Sequence, residues 1–173
     1  MKTIVIYNSQ TGFTKRYAQW IAEAVNGKCV EIKDAKKEDL NSFDTIVFGG
    51  WAMAGSITKI KWFKKNIENL KDKKLLAFCV GASPIENPEI DEFLKKTSSE
   101  EGLENVKVFY CPGGLDYEKM SVTSKAMMKM FVKMLNSKKD KTENDLRQIK
   151  MISSSYDISD KKHVAPIVDY IKN

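Results

Sequence analysis

Lys2-Thr3-Ile4-Val5-Ile6-Tyr7-Asn8-Ser9-Gln10-Thr11-Gly12-Phe13-Thr14 is the stretch that decides how the rest of the chain reads. The apolar run Ile4 to Tyr7 leads into a hydroxyl-rich turn with one glycine, then into apolar residues at helical spacing, Tyr17, Ile21, Ala24 and Val25. A strand that passes through such a turn into a helix builds an anion site. The first amides of the helix lack intrahelical acceptors, and the aligned peptide dipoles add partial positive charge there. Ser9, Thr11 and Thr14 can contribute hydroxyl donors, while Gly12 permits a positive φ or a close backbone approach. The plainer alternative is a capping hydroxyl beside a turn glycine. The turn has no Gly-Lys-Ser/Thr ending and no glycines at dinucleotide spacing, so the simplest ligand is a single phosphate without pyrophosphate or metal.

Working outward, apolar runs and helical stripes alternate along the chain. Lys28 to Lys33, Asp44 to Gly50, Lys74 to Gly81 and Val106 to Cys111 read as four further strands, the last three closed by glycines. Residues 36–41 form a polar connection with room for a short helical turn. Ile60, Phe63, Ile67 and Leu70 mark a helix across 57–70, and Pro88 opens another with Ile90, Phe93 and Leu94 inward. A last helix spans about 159–171, with Val164, Ile167, Val168 and Ile171 on one face and Pro166 making it start late or kink. Five strands alternating with helices give the α/β class, a parallel sheet covered on both faces.

The 173 residues suffice for one well-buried core, so a single domain over 1–173 is expected. A content of 42% hydrophobic and 30% charged residues is that of a soluble globular protein, and no apolar run approaches a membrane span. A cytoplasmic location follows by default. Cys29, Cys79 and Cys111 all fall in strands and read as buried thiols. His163 is the sole histidine, which leaves no His-cluster metal site and little for a His-based nucleophilic triad, and no side chain reads as a catalytic acid, base or nucleophile. The net charge of +6 comes from scattered lysines, without the localised basic and aromatic stripe of a nucleic-acid binder.

Ser9-Gln10-Thr11-Gly12-Phe13-Thr14 directly after an N-terminal strand resembles the phosphate loop of the flavodoxin family, which reads Ser/Thr-x-Thr-Gly-x-Thr. The resemblance implies FMN as cofactor, an electron-transfer or oxidoreductase role and a flavodoxin-like doubly wound five-stranded sheet in the order 2-1-3-4-5. That order puts the first loop at a topological switch point, where ligands bind beyond the carboxyl ends of strands. The resemblance further implies that the loops after the third and fourth strands flank the flavin ring. Those are Gly50, Trp51, Ala52 and Met53, then Ala82 and Ser83, with Gly114 close by. Trp51 is the candidate to stack on the ring, the alternative being that it packs beneath the loop. The second ring loop lacks the tyrosine usual in the family, although Tyr110 and Tyr117 are near in sequence.

After the fifth strand comes an insertion, about residues 115–152, holding six of the eight methionines. Apolar positions 127, 131, 134 and 135 share one helical face, and Lys125, Lys129 and Lys133 share another. Such a helix can lie on a membrane surface or receive a hydrophobic partner, while the plainer reading has it cover the sheet edge. Residues 136–145 read as a loop and 148–153 as a strand completing that edge. Gly113-Gly114-Leu115-Asp116-Tyr117 followed by a long Lys- and Met-rich insertion is similar to the branch of the family containing FMN-dependent protoporphyrinogen dehydrogenase. That likeness implies a quinone or porphyrin-type small molecule as partner, in place of a redox partner protein. A third reading is a cofactor-free relative acting as an interaction module.

Overall fold

A computed structural model describes the backbone of residues 1–173 and the side chains of all but residue 144. Five long strands form the central parallel sheet: β1 (Thr3–Tyr7), β2 (Lys28–Glu31), β3 (Thr45–Met53), β5 (Lys74–Gly81) and β6 (Val106–Pro112). Their order is β2-β1-β3-β5-β6, which is the expected 2-1-3-4-5 among the long strands. The additional β4 (Ser56–Ile57) folds back antiparallel on the end of β3.

The apolar strand runs are buried on both faces, and residue parity divides them between two layers. Ile4, Ile6, Ile46, Phe48, Ala77 and Cys79 pack against α2 (Ile60–Ile67) and α3 (Glu89–Ser98). Val5, Val47, Leu76, Phe78 and Val80 pack against α1 (Phe13–Ala24) and α6 (Ala165–Lys172). The amphipathic pattern of α1 buries Tyr17, Ala18 and Ile21 completely. A fully buried aliphatic side chain such as Ile21 contributes about 1.5–3 kcal/mol relative to exposure. Pro166 lies in the first turn of α6, where its missing N–H costs nothing, and a 3₁₀ turn (Lys161–Val164) precedes it. The last helix therefore starts late and does not kink. Cys79 and Cys111 are buried free thiols, whereas Cys29 on β2 is half-buried.

The insertion departs from expectation in three ways. Residues 148–153 are not an edge strand but the end of α5 (Glu143–Ile152). Thr142 starts that helix with a reciprocal capping box to Asp145, and the four-residue run Ile149 to Ile152 is too short for periodicity to separate helix from strand. The expected loop shrinks to 138–142, because α4 (Val122–Ser137) continues to Ser137. The inward face of α4 is Met128, Val132 and Leu135, which join Leu115, Tyr117, Ile149 and Ile152 in a small core of their own. Met127, Phe131 and Met134, expected to share one face with Leu135, are exposed whereas Leu135 is buried. From Ala126 to Leu135 only Lys129 and Lys133 interrupt the apolar residues, so spacing alone offers more than one packing face. Two short strands, β7 (Gly114–Leu115) and β8 (Tyr156–Asp157), pair antiparallel and tie the insertion's two ends together.

Candidate functional site

The carboxyl ends of β1, β3, β5 and β6 open on one edge, with residues 8–14 at the reversal between β1 and its neighbours. Asn8 carries the chain out of the sheet, its amide donating to the Gly49 carbonyl at 2.8 Å. Gly12 caps α1 at φ 101° and ψ −18°, a conformation that glycine adopts without Cβ strain. Its amide donates to Ser9 Oγ at 3.2 Å, which folds the turn on itself. The helix start has no side-chain cap and no acidic residue in its first turn. Among the described residues, none accepts from the amides of Gln10, Thr11, Phe13 and Thr14. Thr11 is half-buried and Gln10 and Gly12 are exposed, so this end of α1 faces solvent. The Phe13 side chain belongs to the core, leaving its amide as the group it can offer a ligand. Thr14 is also buried. The turn is therefore a set of unpaired donors at the positive end of a helix, which suits a phosphate dianion.

Side chains distant in sequence hold this turn in place. The Tyr17 hydroxyl, fully buried on α1, donates to the Pro112 carbonyl at 2.6 Å and accepts from the Asp160 amide at 3.1 Å. Burial pushes that phenol far up, so it remains a neutral donor. Arg16 reaches from the first turn of α1 to Asp157 and Ser159. Burial by itself would raise the Asp157 carboxyl, but hydrogen bonds from Ser159 and Arg16 outweigh it and hold the carboxyl below its usual range. Gln10 Oε1 accepts from Ser124 Oγ at 3.0 Å, so the N-terminal turn of α4 touches the turn directly. A cavity of about 440 Å³ lies between the turn and the insertion, walled by Thr11, Phe13, Arg16, Leu115, Tyr156 and Asp157 among others.

The other two walls are more tightly built than their glycine content suggests. β3 and β4 close a hairpin through Ala54 and Gly55, both at positive φ, as a two-residue turn matched to strand twist requires. A Cβ on Gly50 would sit 2.6 Å from Ile57 Cγ2 and from the Thr58 carbonyl. Gly50 thus makes room for the return of the hairpin, and Gly49 likewise gives room to the Phe78 ring. Thr58 Oγ1 accepts from the Trp51 amide at 3.1 Å and from Asn8 Nδ2 at 3.3 Å, joining the hairpin to the first turn. Trp51 itself is half-buried and stands outside the core clusters, while Ala52 and Met53 are exposed.

Beyond β5, the Ala82-Ser83 loop is held by two tyrosines. Tyr110 donates to the Ser83 carbonyl at 2.7 Å and accepts from the Ser83 amide at 3.1 Å. Tyr156 donates to the Ala82 carbonyl at 2.6 Å. Burial raises both phenols, keeping them protonated. The Ser83 amide is therefore already engaged and not free for a ring edge. Gly114 is also a packing residue: a Cβ there would lie 2.1 Å from the Tyr156 carbonyl oxygen. Tyr117 donates to the Ile152 carbonyl at 2.6 Å, so the Gly-Gly-Leu-x-Tyr segment anchors the insertion. Asn8, Arg16, Thr58, Tyr156 and Asp157 escaped sequence reasoning because their partners lie far along the chain, 50 residues away for Asn8 and Thr58 and 141 for Arg16 and Asp157.

A sequence model of the flavodoxin domain matches residues 4–143, which includes the first turn, the hairpin and α4. A comparison with curated proteins finds no match. Among solved structures, a flavodoxin, WrbA-like protein from Agrobacterium tumefaciens is 17% identical, with 88% of this chain and 95% of that one covered at a TM-score of 0.49. A flavoprotein from Lactobacillus acidophilus, solved in complex with FMN, is 17% identical over 64% of this chain and 91% of that one, with a TM-score of 0.46. The flavodoxin of Megasphaera elsdenii is 24% identical over 62% and 82%, also at 0.46. With four-fifths of its length matched by the domain model and its five long strands in the doubly wound order, the chain belongs to the flavodoxin domain family.

Proposed function

We propose that this protein binds FMN and moves electrons through it, as a carrier or as the redox half of an oxidoreductase. The observation that carries the reading is the turn 9–14. It combines unpaired amides of Gln10, Thr11, Phe13 and Thr14, a glycine at positive φ and a helix start without acidic residues, within the segment matched by the family model. These groups, with the Thr11 and Thr14 hydroxyls, would hold the phosphate. The ring would lie between the Trp51 hairpin and the Ala82-Ser83 loop, with Trp51 the half-buried aromatic able to stack on it. Flavin supplies the electron chemistry when bound, and the chain contributes binding and the environment of the ring.

The test is an FMN titration of the purified protein, followed by flavin absorption and by melting temperature. Ligand at about one hundred times its dissociation constant should add roughly 2.7 kcal/mol to stability. Thr11→Ala combined with Thr14→Ala should weaken binding by about 100-fold or more, since each hydroxyl bonds a charged group. A folded protein that ignores FMN, or a double variant with unchanged affinity, would refute the reading.

A further inference from the structure

The outward face of α4 is not explained by the fold. Met127, Met130, Phe131 and Met134 fall at i, i+3, i+4 and i+7, and each is exposed, from 37% for Phe131 to 70% for Met130. The inward residues Met128, Val132 and Leu135 lie on a different face, against α5, so the outer stripe has no partner among the described residues. Lys125, Lys129 and Lys133 lie on another face of the helix, with Lys133 bordering Met130. From Lys119 to Lys139 there are six lysines and no carboxylate, in a chain that has 23 acidic residues. Lys119 and Lys138 pair with Asp116 and Asp145, whereas Lys139 and the three in the helix have no carboxylate partner among the described residues.

We propose that α4 docks this protein on an anionic lipid surface, lying in the plane of the headgroups. The stripe is the ridge of an outer helix about 24 Å long, a shape that enters a fluid interface. Methionine adapts to irregular apolar surroundings, and lysine stems can lie along the interface while their ammonium groups reach phosphates. The run from Lys119 to Lys139 carries only positive side-chain charge, which calls for a negatively charged occupant. The same charge favours anionic headgroups, each lysine near such a surface strengthening attachment. No helix among the described residues is long and apolar enough to cross a membrane, so the contact is peripheral. Ser124, in the first turn of α4, touches Gln10, so docking brings the mouth of the candidate site to the lipid surface. The proposal does not depend on which cofactor is bound.

Flotation of the full chain with phosphatidylcholine vesicles, with and without phosphatidylglycerol, tests it. Association is expected with the mixed vesicles and should fall as salt is raised. Lys129→Gln with Lys133→Gln should weaken it about 25-fold, from about fivefold per charge removed. Met130→Ser with Phe131→Ser should weaken it about tenfold or more. Both variants alter exposed positions, and circular dichroism checks that they remain folded. A chain that stays soluble with the mixed vesicles, or whose association survives both double variants unchanged, overturns the proposal; the first result would leave an acidic protein as the occupant.

Discussion

Replacing Gly12 by alanine separates backbone geometry from side-chain contact at the heart of the site. An alanine Cβ at this position meets nothing within 4 Å among the described residues, so no clash contributes. What remains is the conformation, φ 101° and ψ −18°, in which an L-residue is strained by about 1–2 kcal/mol. That strain must appear somewhere. If the turn is rigid, it lowers folding stability and leaves FMN affinity almost intact. If the turn relaxes to negative φ, stability is largely kept but the amides of Phe13 and Thr14 swing away, and the ligand must restore them. Affinity then falls by about 5- to 30-fold, the same energy expressed as a binding ratio. Urea unfolding of the apoprotein and an FMN titration give the two parts, and their sum should reach about 1–2 kcal/mol. A sum below about 0.5 kcal/mol would refute the argument that this turn needs a left-handed residue to present its amides.

Two further outcomes follow from the walls and the insertion. Tyr110→Phe leaves the Ser83 amide and carbonyl without their shared hydroxyl and should cost about 1–3 kcal/mol. In a chain of this length the melting temperature should drop by about 2–4 °C per kcal/mol, and an unchanged melting curve would show that the loop does not rely on the phenol. The Asp145 carboxyl is held down to about 2, first by its hydrogen bond from Lys138 and then by those from Thr142. Because its folded value is depressed from 3.8, its stabilisation of the α4–α5 turn is complete above that value and is lost as pH falls through about 2. Proteolytic or hydrogen-exchange sensitivity of 138–145 should rise over that window in the native chain. In Asp145→Asn it should already be raised at neutral pH, and equal profiles would remove this carboxylate from the account.

The sheet and its order were legible in the sequence because the signal is local and redundant. Apolar runs rich in β-branched or aromatic residues and closed by glycine, such as Thr45 to Phe48 and Leu75 to Val80, read as strands buried on both faces, and helices between parallel strands admit few layouts. The anion-binding turn was legible for the same reason, since six adjacent residues carry both its donors and its glycine. What the other glycines do was decided only by tertiary structure. The resemblance places Gly50 and Gly114 near the ring, and only the fold shows that the space a Cβ would take at each is filled by Ile57 and Thr58 or by the backbone of Tyr156. The face of α4 was also undecided, because apolar residues cover more than one face of the helix and the choice rests on contact with α5. The loop after β5 has no aromatic residue of its own but takes two, Tyr110 from β6 and Tyr156 from beyond the insertion. Local chemistry thus specified the strands, the turn and its anion preference. Which backbone groups stay free for a ligand depended on contacts between residues tens of positions apart, and such pairings leave no periodicity for a sequence to display.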